Sequence, residues 1–510
     1  MFMHLPPSYN ENQFTLFNRC TAKRAVSIRG DPILESRGYM ESHLKREIIK
    51  TQVLVLGGGA GGVGAAIAAA REGAQTIIVD RQGFLGGNMT IGLPLLAFLD
   101  AQGRQVTRGL PQEIVDRLTL LGGSFGHREC PLHNSTTVID PSLMKIVIFE
   151  KIKQYGVQPL LHCEIIGTNV EDGELKSVLL KGKGREMEVF ADVFIDATGD
   201  GDVAYMAGAS FEKGQYANGE TQPPTLMFTV GGFDLERFMD FLGEHPEELR
   251  HGSSMKIRPG YTAEFLRASE NHVFVGLKNT ISRLRQEGKC PISRDTIIYI
   301  NLPREGYIAL NCIRILNFDG TKVEELSRGE IESHLQILPL IDMLREHIPG
   351  FEHIYLSSIA PFLGIRETRR IIGKQMVREE AAVNGVIPDD TIALGSYIID
   401  IHSGSGDSTV IRSLAGPYGI TYGATIAKDV KRLMLSGRCI SVDPVVFGSS
   451  RVMPTCMAIG EGVGIGAALA AQQQISPEDV DVRIIRHKLR EYGAILSLED
   501  VGEASGTTSL

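Results

Sequence analysis

A histidine and an aspartate in this sequence are placed where they could transfer a proton. His402 follows the strand-like segment SYIIDIH and precedes the glycine-rich segment HSGSGDST. An imidazole in that position could act as a general acid or base. Asp400 lies two residues earlier, on the same side of the strand, and could orient the ring. The alternative for His402 is a structural hydrogen bond to a local backbone carbonyl.

A run of arginines could bind an anionic group. The segment GIRETRRIIG contains Arg366, Arg369 and Arg370. On a helix, Arg366 would share one face with Arg369 or Arg370, and guanidinium groups so placed could clamp a substrate carboxylate. We therefore predict that Arg366 and Arg369 bind substrate. The alternative is a solvated face or an ion pair with Glu367.

The segment GHRECPLHNSTT has a spacing that could gather a metal ion. His127, Cys130 and His133 carry imidazole and thiolate ligands of the kind that zinc prefers. No fourth ligand is evident nearby, so we expect a surface loop near a pocket mouth and no metal.

A glycine cluster gives the strongest signal. From Thr51 the chain reads TQVLVLGGGAGGVGAAIAAAREGAQTIIVDR, which is typical of a strand, a tight turn, an alanine-rich helix and a second strand. Gly57, Gly59 and Gly62 form GxGxxG within this βαβ unit, where a pyrophosphate could approach the backbone and the helix N-terminus. Asp80 ends the second strand and could accept hydrogen bonds from an adenosine ribose. The alternative is a glycine-rich turn that only packs.

Three further segments resemble one known family. They are GFLGGNMTIG after the Asp80-Arg81 pair, ADVFIDATGDGDVAYMAGA, and LMLSGRCIS followed by SSRVMPTCMAIGEGVGIGAALAAQ. Together with the glycine cluster they resemble FAD-dependent oxidoreductases, related to the glutathione reductase and fumarate reductase flavoproteins, from about Thr51 to Gln474. This resemblance implies FAD as the cofactor and a Rossmann-like fold. It implies that the cofactor contacts Gly57, Gly59, Gly62, Asp80, Arg81, Gly86, Gly87, Thr90, Thr198, Gly199, Asp200, Gly437, Arg438, Gly460, Glu461 and Gly464.

The resemblance also suggests roles near the flavin. Arg451 lies where fumarate reductase relatives have an arginine that contacts the substrate carboxylate and relays a proton, so we predict it to be catalytic together with His402. Phe447 replaces the histidine of those relatives, which argues against fumarate reduction. Asn88 stands in the turn where covalent flavoproteins carry a histidine, which predicts non-covalent FAD. A helix beginning near Gly460 would direct its N-H groups at the flavin.

The predicted fold is α/β, with a Rossmann-like FAD-binding domain and an inserted α+β substrate domain. We expect an N-terminal extension over residues 1–50, a discontinuous FAD-binding domain over 51–220 and 421–475, a substrate or cap domain over 221–420, and a C-terminal tail over 476–510. The apolar segment TLMFTVGGF opens the insert, ERFMDFLGEHPEELR and IESHLQILPLIDMLREHI are predicted helices, and IIYINLP is a predicted strand.

Charge and cysteine content restrict the partners. The net charge is -9, and no basic block interrupts it, so we expect no nucleic-acid or membrane partner. Seven scattered cysteines without CxxC spacing favour a reducing compartment. No secretory pattern or bilayer-length apolar stretch is apparent, so we expect a cytoplasmic protein.

The expected activity is hydride transfer between a small organic substrate and FAD. No second GxGxxG follows a strand, so the electron acceptor or donor must be oxygen, a diffusible carrier, a partner protein or a second substrate. Two alternatives remain: an FAD-binding RNA-modification protein, and a flavoprotein without turnover. The sequence indicates no particular oligomeric state.

Overall fold

The computed structural model describes residues 46–249, 260–269, 271–406 and 409–504. Most of the predicted N-terminal extension, residues 1–50, lies outside the described residues. Its last residues already belong to the first strand, which begins at Glu47. Two positions of the predicted loop after His402, residues 407 and 408, also lie outside them.

Residues 46–220 contain the first half of the sheet structure. The strands are β1 (Glu47–Leu56), β2 (Thr76–Asp80), β3 (Leu95–Leu96), β4 (Arg128–Cys130), β5 (Asn134–Thr137), β6 (Gln158–Leu161), β7 (Glu164–Glu171), β8 (Glu174–Gly182), β9 (Arg185–Asp196) and β10 (Phe211–Lys213). The helices are α1 (Ala60–Arg71), α2 (Leu110–Leu120), α3 (Pro141–Gln154) and α4 (Asp202–Met206).

The remaining elements follow between residues 221 and 504. The strands are β11 (Phe228–Gly231), β12 (Val273–Gly276), β13 (Ile297–Asn301), β14 (Ile308–Leu310), β15 (Tyr355–Ile359), β16 (Arg369–Ile371), β17 (Thr391–Gly395), β18 (Ile399–His402), β19 (Thr409–Arg412), β20 (Tyr418–Thr421) and β21 (Leu433–Leu435). The helices are α5 (Leu235–Glu244), α6 (Ala263–Ala268), α7 (Lys278–Gln286), α8 (Val323–His347), α9 (Glu379–Val383), α10 (Pro444–Ser450), α11 (Met453–Gln473), α12 (Val482–Glu491) and α13 (Leu498–Ala504).

A mixed sheet forms the first layer. Its order is β6-β2-β1-β9-β8-β7, and β21 also pairs with β9. The strands β6, β2, β1, β9 and β21 run parallel, whereas β7 and β8 add an antiparallel edge. Parallel strands that carry buried aliphatic runs need helices to cover them, and α1 supplies one such cover. The α/β fold with a Rossmann-like unit is confirmed.

Two helices built from small residues pack tightly beside this sheet. A Cβ atom at Gly460 of α11 would lie 2.2 Å from the Gly61 carbonyl oxygen of α1, and one at Gly464 would lie 2.2 Å from the Ala65 oxygen. Only glycine allows the backbones to approach so closely. Within the described part of the chain, α11 alone is long and apolar enough to span a bilayer, but 89% of its apolar window is buried, as in a core helix.

A second apolar core surrounds an antiparallel sheet of order β12-β13-β14-β11-β15. The helices α5 and α8 contribute to this core. The helix α8 confirms its predicted segment and β13 confirms the predicted strand, whereas α5 confirms ERFMDFLGEHPEELR only as far as Glu244, because Pro246 follows. Residues such as Ile371 and Tyr418 instead pack into the first core. Part of the predicted insert, residues 221–420, therefore supports the FAD-binding side. Ile485 of α12, in the predicted tail, belongs to that core too.

Candidate active site

The turn between β1 and α1 requires glycine for two different reasons. Gly57 has a φ of +106°, and a Cβ atom there would lie 2.4 Å from the Ala197 carbonyl oxygen of the neighbouring strand end. Gly62 lies on the inner side of α1, where a Cβ atom would approach the Gly57 oxygen to 1.8 Å. At Gly59, which precedes the helix, an added Cβ would meet no protein atom within 4 Å. This residue therefore leaves space for something outside the chain.

A cleft of about 920 Å³, which includes open solvent, runs along this turn. We call it the glycine cleft. Ten of the predicted cofactor residues line it: Gly57, Gly59, Asp80, Arg81, Gly87, Thr198, Gly199, Asp200, Gly437 and Arg438. Segments from the β1, β2, β9 and β21 ends of the parallel sheet thus meet at one edge, as expected for ligand sites of parallel α/β sheets.

Asp80 joins the two glycine turns. Its Oδ2 atom accepts a hydrogen bond from the Gly58 amide at 2.7 Å, and its Oδ1 atom accepts one from the Gln82 amide at 2.7 Å. Burial raises the pKa of the carboxyl, against the lowering effect of these two amides. The carboxylate therefore fixes the turn while its residue lines the glycine cleft.

The strand-ending turn after β9 is fixed by Asp196, which the sequence analysis missed. Its buried carboxylate accepts hydrogen bonds from the Thr198 amide and hydroxyl and from the Ala204 amide. Burial raises the pKa of Asp196 to about 6. An acid directly after the apolar run VFI, at the end of β9, was the available signal, because such a group needs several donors to be buried.

Arg438 closes the opposite side of the glycine cleft. It donates a hydrogen bond to Asp200 at 2.6 Å and another to the Thr368 hydroxyl at 3.2 Å. Thr368 in turn donates to Asp200 at 2.7 Å. This triangle ties the turn after β9 to the segment that follows β21.

Six predicted cofactor residues do not line the glycine cleft. Gly86 begins the short helical turn 87–90 in a left-handed conformation, and the Thr90 hydroxyl donates to the Gly87 carbonyl within it. Gly62, Gly460 and Gly464 lie at the contacts of α1 described above. The sixth residue, Glu461, is buried away from the cleft.

The prediction that a helix begins near Gly460 was wrong. The helix α11 begins at Met453, with Pro454 in its first turn, so Gly460 lies in its interior. Glu461 accepts a hydrogen bond from the Leu110 amide at 3.1 Å and pairs with Arg71 at 3.4 Å. Burial raises the pKa of Glu461 to about 7, against the lowering effect of Arg71. It thus connects α11 to α1 and α2.

A larger cavity adjoins the glycine cleft. Its volume is about 1210 Å³, including open solvent, and its polar wall carries Arg294, Arg366, Asp400, His402 and Arg451. Five residues line both spaces: Asn88, Ile365, Arg438, Arg451 and Met453. The two spaces therefore share a boundary, and Arg451 and the start of α11 lie at it.

His402, Asp400 and Arg451 form a polar group at the end of β18. The His402 Nε2 atom lies 3.4 Å from Asp400 Oδ1, and its Nδ1 atom lies 3.1 Å from the Thr409 hydroxyl. The Arg451 guanidinium donates to the Asp400 carbonyl at 3.0 Å and lies 3.6 Å from the Asp400 carboxylate. It also lies 3.3 Å from the Gln222 side-chain oxygen.

The electrostatics of this group keep the imidazole neutral. Burial lowers the pKa of His402, and nearby arginines add to that effect against the opposing charge of Asp400. Burial alone would raise the pKa of Asp400, but a hydrogen bond from the neutral His402 and the charges of Arg451 and Arg366 hold it well below its usual range. The resulting arrangement is a neutral imidazole beside an ionised carboxylate.

The arginine run does not form the predicted helical face. Arg369 and Arg370 belong to β16, which pairs with β10, so the helical prediction was wrong. Arg369 binds Asp202 at 2.8 Å, and Arg370 binds Glu367 at 2.8 Å. Only Arg366 of the three lines the larger cavity among the described residues. Arg369 is thus held in a structural ion pair, and the ion pair with Glu367 forms through Arg370.

His127 contacts other partners than Cys130 and His133, which contact each other. His127 stacks on Phe98 at 4.0 Å, and burial lowers its pKa to about 4. The Cys130 sulfur lies 3.6 Å from His133 Nδ1, and His133 lines the larger cavity. Within the described ranges, no three His, Cys, Asp or Glu side chains cluster in a way that could hold a metal.

Arg294 is a cavity residue that was not predicted from the sequence. It is 5% exposed, lines the larger cavity, and precedes β13 in the segment PISRDTII. An arginine directly before an apolar strand is a weak signal, because most arginines at strand ends face solvent.

The glycine turn, the parallel sheet and the adjoining cavity together define a dinucleotide-dependent enzyme of the α/β class. The chain matches the family model described as FAD dependent oxidoreductase over residues 52–489. The protein therefore belongs to the FAD-dependent oxidoreductase family, and its cofactor is FAD. No curated protein matches its sequence.

Solved structures with a similar chain course share little sequence with it. The flavin-dependent brominase Bmp2 is 12% identical, with 87% of this chain and 83% of that chain covered and a TM-score of 0.42. The p-nitrophenol 4-monooxygenase PnpA from Pseudomonas putida DLL-E4 is 10% identical, with 88% and 84% covered and a TM-score of 0.41. A geranylgeranyl bacteriochlorophyll reductase-like protein from Thermoplasma acidophilum is 11% identical, with 90% and 96% covered and a TM-score of 0.38.

Proposed function

We propose that this FAD-dependent oxidoreductase transfers a hydride between FAD and a small organic substrate held in the larger cavity. The observation that carries the proposal is the shared boundary, where Asn88, Ile365, Arg438, Arg451 and Met453 line both the cavity and the glycine cleft. A substrate in one space and a cofactor in the other would meet there.

The residues of the glycine cleft fit FAD. The free space at Gly59 would admit a pyrophosphate to backbone N-H groups at the start of α1. Asp80 lines the cleft and would meet the adenosine ribose there, and the Thr198–Asp200 turn with Gly437 and Arg438 borders the rest of the cleft. When bound, FAD supplies a ring that accepts or delivers a hydride. The first turn of α11, which begins at Met453, would favour negative charge near that ring.

The chain itself would orient the substrate and hold the proton. We propose His402 as the proton acceptor; burial lowers its pKa, which leaves the imidazole unprotonated but also makes it a weaker base. Asp400 would position His402 and stabilise its charged form, in the manner of a carboxylate that orients a catalytic histidine. Arg451, held by Asp400 and Gln222, would contact the substrate from the boundary with the cleft.

FAD is proposed to bind without a covalent bond. Asn88 lines the cleft where covalent relatives carry histidine. Cys456 also lines it, but burial raises the pKa of its thiol to about 12, so the nucleophilic thiolate is scarce. Acid precipitation should release the yellow chromophore into the supernatant, and a pellet that stays yellow would contradict non-covalent binding.

An anaerobic screen of metabolites tests the proposed activity. At least one compound should bleach the oxidised flavin, or reoxidise the reduced flavin, with a rate that rises with its concentration. If no compound changes the flavin in either direction, the protein is a flavoprotein without turnover. RNA binding that weakens steeply with salt would favour the RNA-modification alternative instead.

A further inference from the structure

The larger cavity has an excess of positive charge. Four arginines line it, Arg294, Arg366, Arg438 and Arg451, whereas Asp400 is the single acidic residue in its described lining. Arg438 is occupied by Asp200, and Arg451 lies beside Asp400. The cavity is therefore unsuited to a cationic substrate and attracts an anion.

Arg366 is the arginine of this lining without a direct carboxylate contact among the described residues. Its guanidinium donates to the Pro223 carbonyl at 2.5 Å, and among the described residues no carboxylate oxygen lies within 4.0 Å of it. Burial and the charges of Arg451, Arg294 and Arg314 together lower its pKa to about 9, against the opposing charge of Asp400. A buried charge without a partner is unfavourable, so an anion at Arg366 would be bound strongly and in a fixed orientation.

Part of the cavity lining is a continuous apolar surface. Val273 and Val275 of β12 lie opposite Ile300 and Ile298 of β13, as two cross-strand pairs, and all four side chains line the cavity. Residues two apart on a strand point to the same side of the sheet, so these pairs form one continuous branched surface. Other apolar lining residues extend it: Leu93, Leu96, Leu132, Ile398, Ile411 and Val452.

We propose that the substrate is an amphipathic monocarboxylate, with its carboxylate on Arg366 and an apolar ring or branched chain against β12 and β13. The inference rests on the proposed function and assigns its substrate class. A short dicarboxylate would leave the apolar surface of β12 and β13 uncovered, and its second charge would have to compete with Asp400 and Asp200 for Arg451 and Arg438. A neutral analogue would leave the Arg366 charge without a counter-ion.

Ligand binding to the FAD-loaded protein tests this proposal without turnover. Three probes are compared by calorimetry and by the change in flavin absorbance: 3-phenylpropanoate, its amide 3-phenylpropanamide, and succinate. We expect the wild-type protein to bind 3-phenylpropanoate at least tenfold more tightly than either other probe. The Arg366→Gln variant should lose at least tenfold in affinity for the acid and bind the amide unchanged.

Two further variants separate specific from general effects. Arg304→Gln removes an exposed arginine that stacks on Tyr307 outside the cavity lining, and it should preserve the preference for the acid. Val275→Thr keeps the side-chain shape but adds a hydroxyl to the apolar wall, and it should weaken 3-phenylpropanoate at least threefold. If Arg366→Gln does not fold, the wild-type comparison and Val275→Thr still decide the proposal.

Several results would overturn the substrate class. The first is that the wild-type protein binds succinate as tightly as 3-phenylpropanoate, or more tightly. The second is that it binds 3-phenylpropanoate no better than the amide, or not at all. The third is that Arg366→Gln keeps the wild-type preference for the acid over the amide. If these occur while the anaerobic screen finds a compound that reduces the flavin, the proposed function stands and only the class fails. If the binding pattern holds but no compound reacts with the flavin, the class stands and the activity fails.

Discussion

Replacing Gly59 with alanine should weaken FAD binding, whereas replacing Gly62 with alanine should destabilise the fold. The two positions lie three residues apart but differ in their surroundings. An added methyl group at Gly59 meets open space, whereas one at Gly62 would lie 1.8 Å from the Gly57 oxygen. Gly59 has a φ of −73°, which alanine adopts readily, so its replacement should change apoprotein stability by no more than about 1 kcal/mol. Overpacking at Gly62 should cost about 3 kcal/mol, offset by about 1 kcal/mol of helix propensity.

The measurements are thermal unfolding of each apoprotein and titration of each with FAD. Gly59→Ala should melt close to the wild type but bind FAD at least tenfold more weakly, because the methyl group occupies the approach to the N-H groups. Gly62→Ala should lower the free energy of unfolding by about 2 kcal/mol. Gly243→Ala is the control, since that exposed helical site meets nothing within 4 Å. Wild-type FAD affinity in Gly59→Ala, together with wild-type stability in Gly62→Ala, would refute the reasoning.

Three other changes test the site and its support. The pKa of Glu461 is raised to about 7, so its contribution to the free energy of unfolding is present below the unfolded pKa of 4.5 and is lost as the pH rises to 7. Glu461→Gln should abolish that loss of about 3 kcal/mol in unfolding measurements. An unchanged dependence of the unfolding free energy on pH in this variant would contradict the assignment. Arg451→Ala should slow flavin reduction by substrate while FAD stays bound, and an unchanged rate would remove Arg451 from the mechanism. Because the pKa of His402 is lowered, the rate of flavin reduction should show no inflection near pH 6.5; an inflection there that disappears in His402→Asn would contradict a neutral imidazole.

The glycine turn could be read from the sequence because its causes are local. Gly57, Gly59 and Gly62 lie within one βαβ unit, and the strand ends that meet them carry their own glycine turns. The α5 and α8 helices were likewise visible as amphipathic patterns. Short-range spacing is sufficient for such features.

The sequence-based predictions that were wrong or incomplete concern features that depend on tertiary packing. The glycines of α11 resembled a helix start, but they let the helix approach α1, and Pro454 marks the true beginning. Arg369 fell in a three-residue strand whose pairing with β10 no local pattern reveals. Arg294 reaches the cavity through the antiparallel sheet, far along the chain from Arg451. Contacts of this kind depend on the fold of the whole domain.

A crystal structure of the FAD-loaded protein tests the central claim most directly. We predict density for the adenosine and pyrophosphate along the glycine cleft. The flavin ring should lie at the boundary formed by Asn88, Arg451 and Met453, with one face open to the larger cavity. A flavin ring bound elsewhere, or one separated from the cavity by protein side chains, would contradict it.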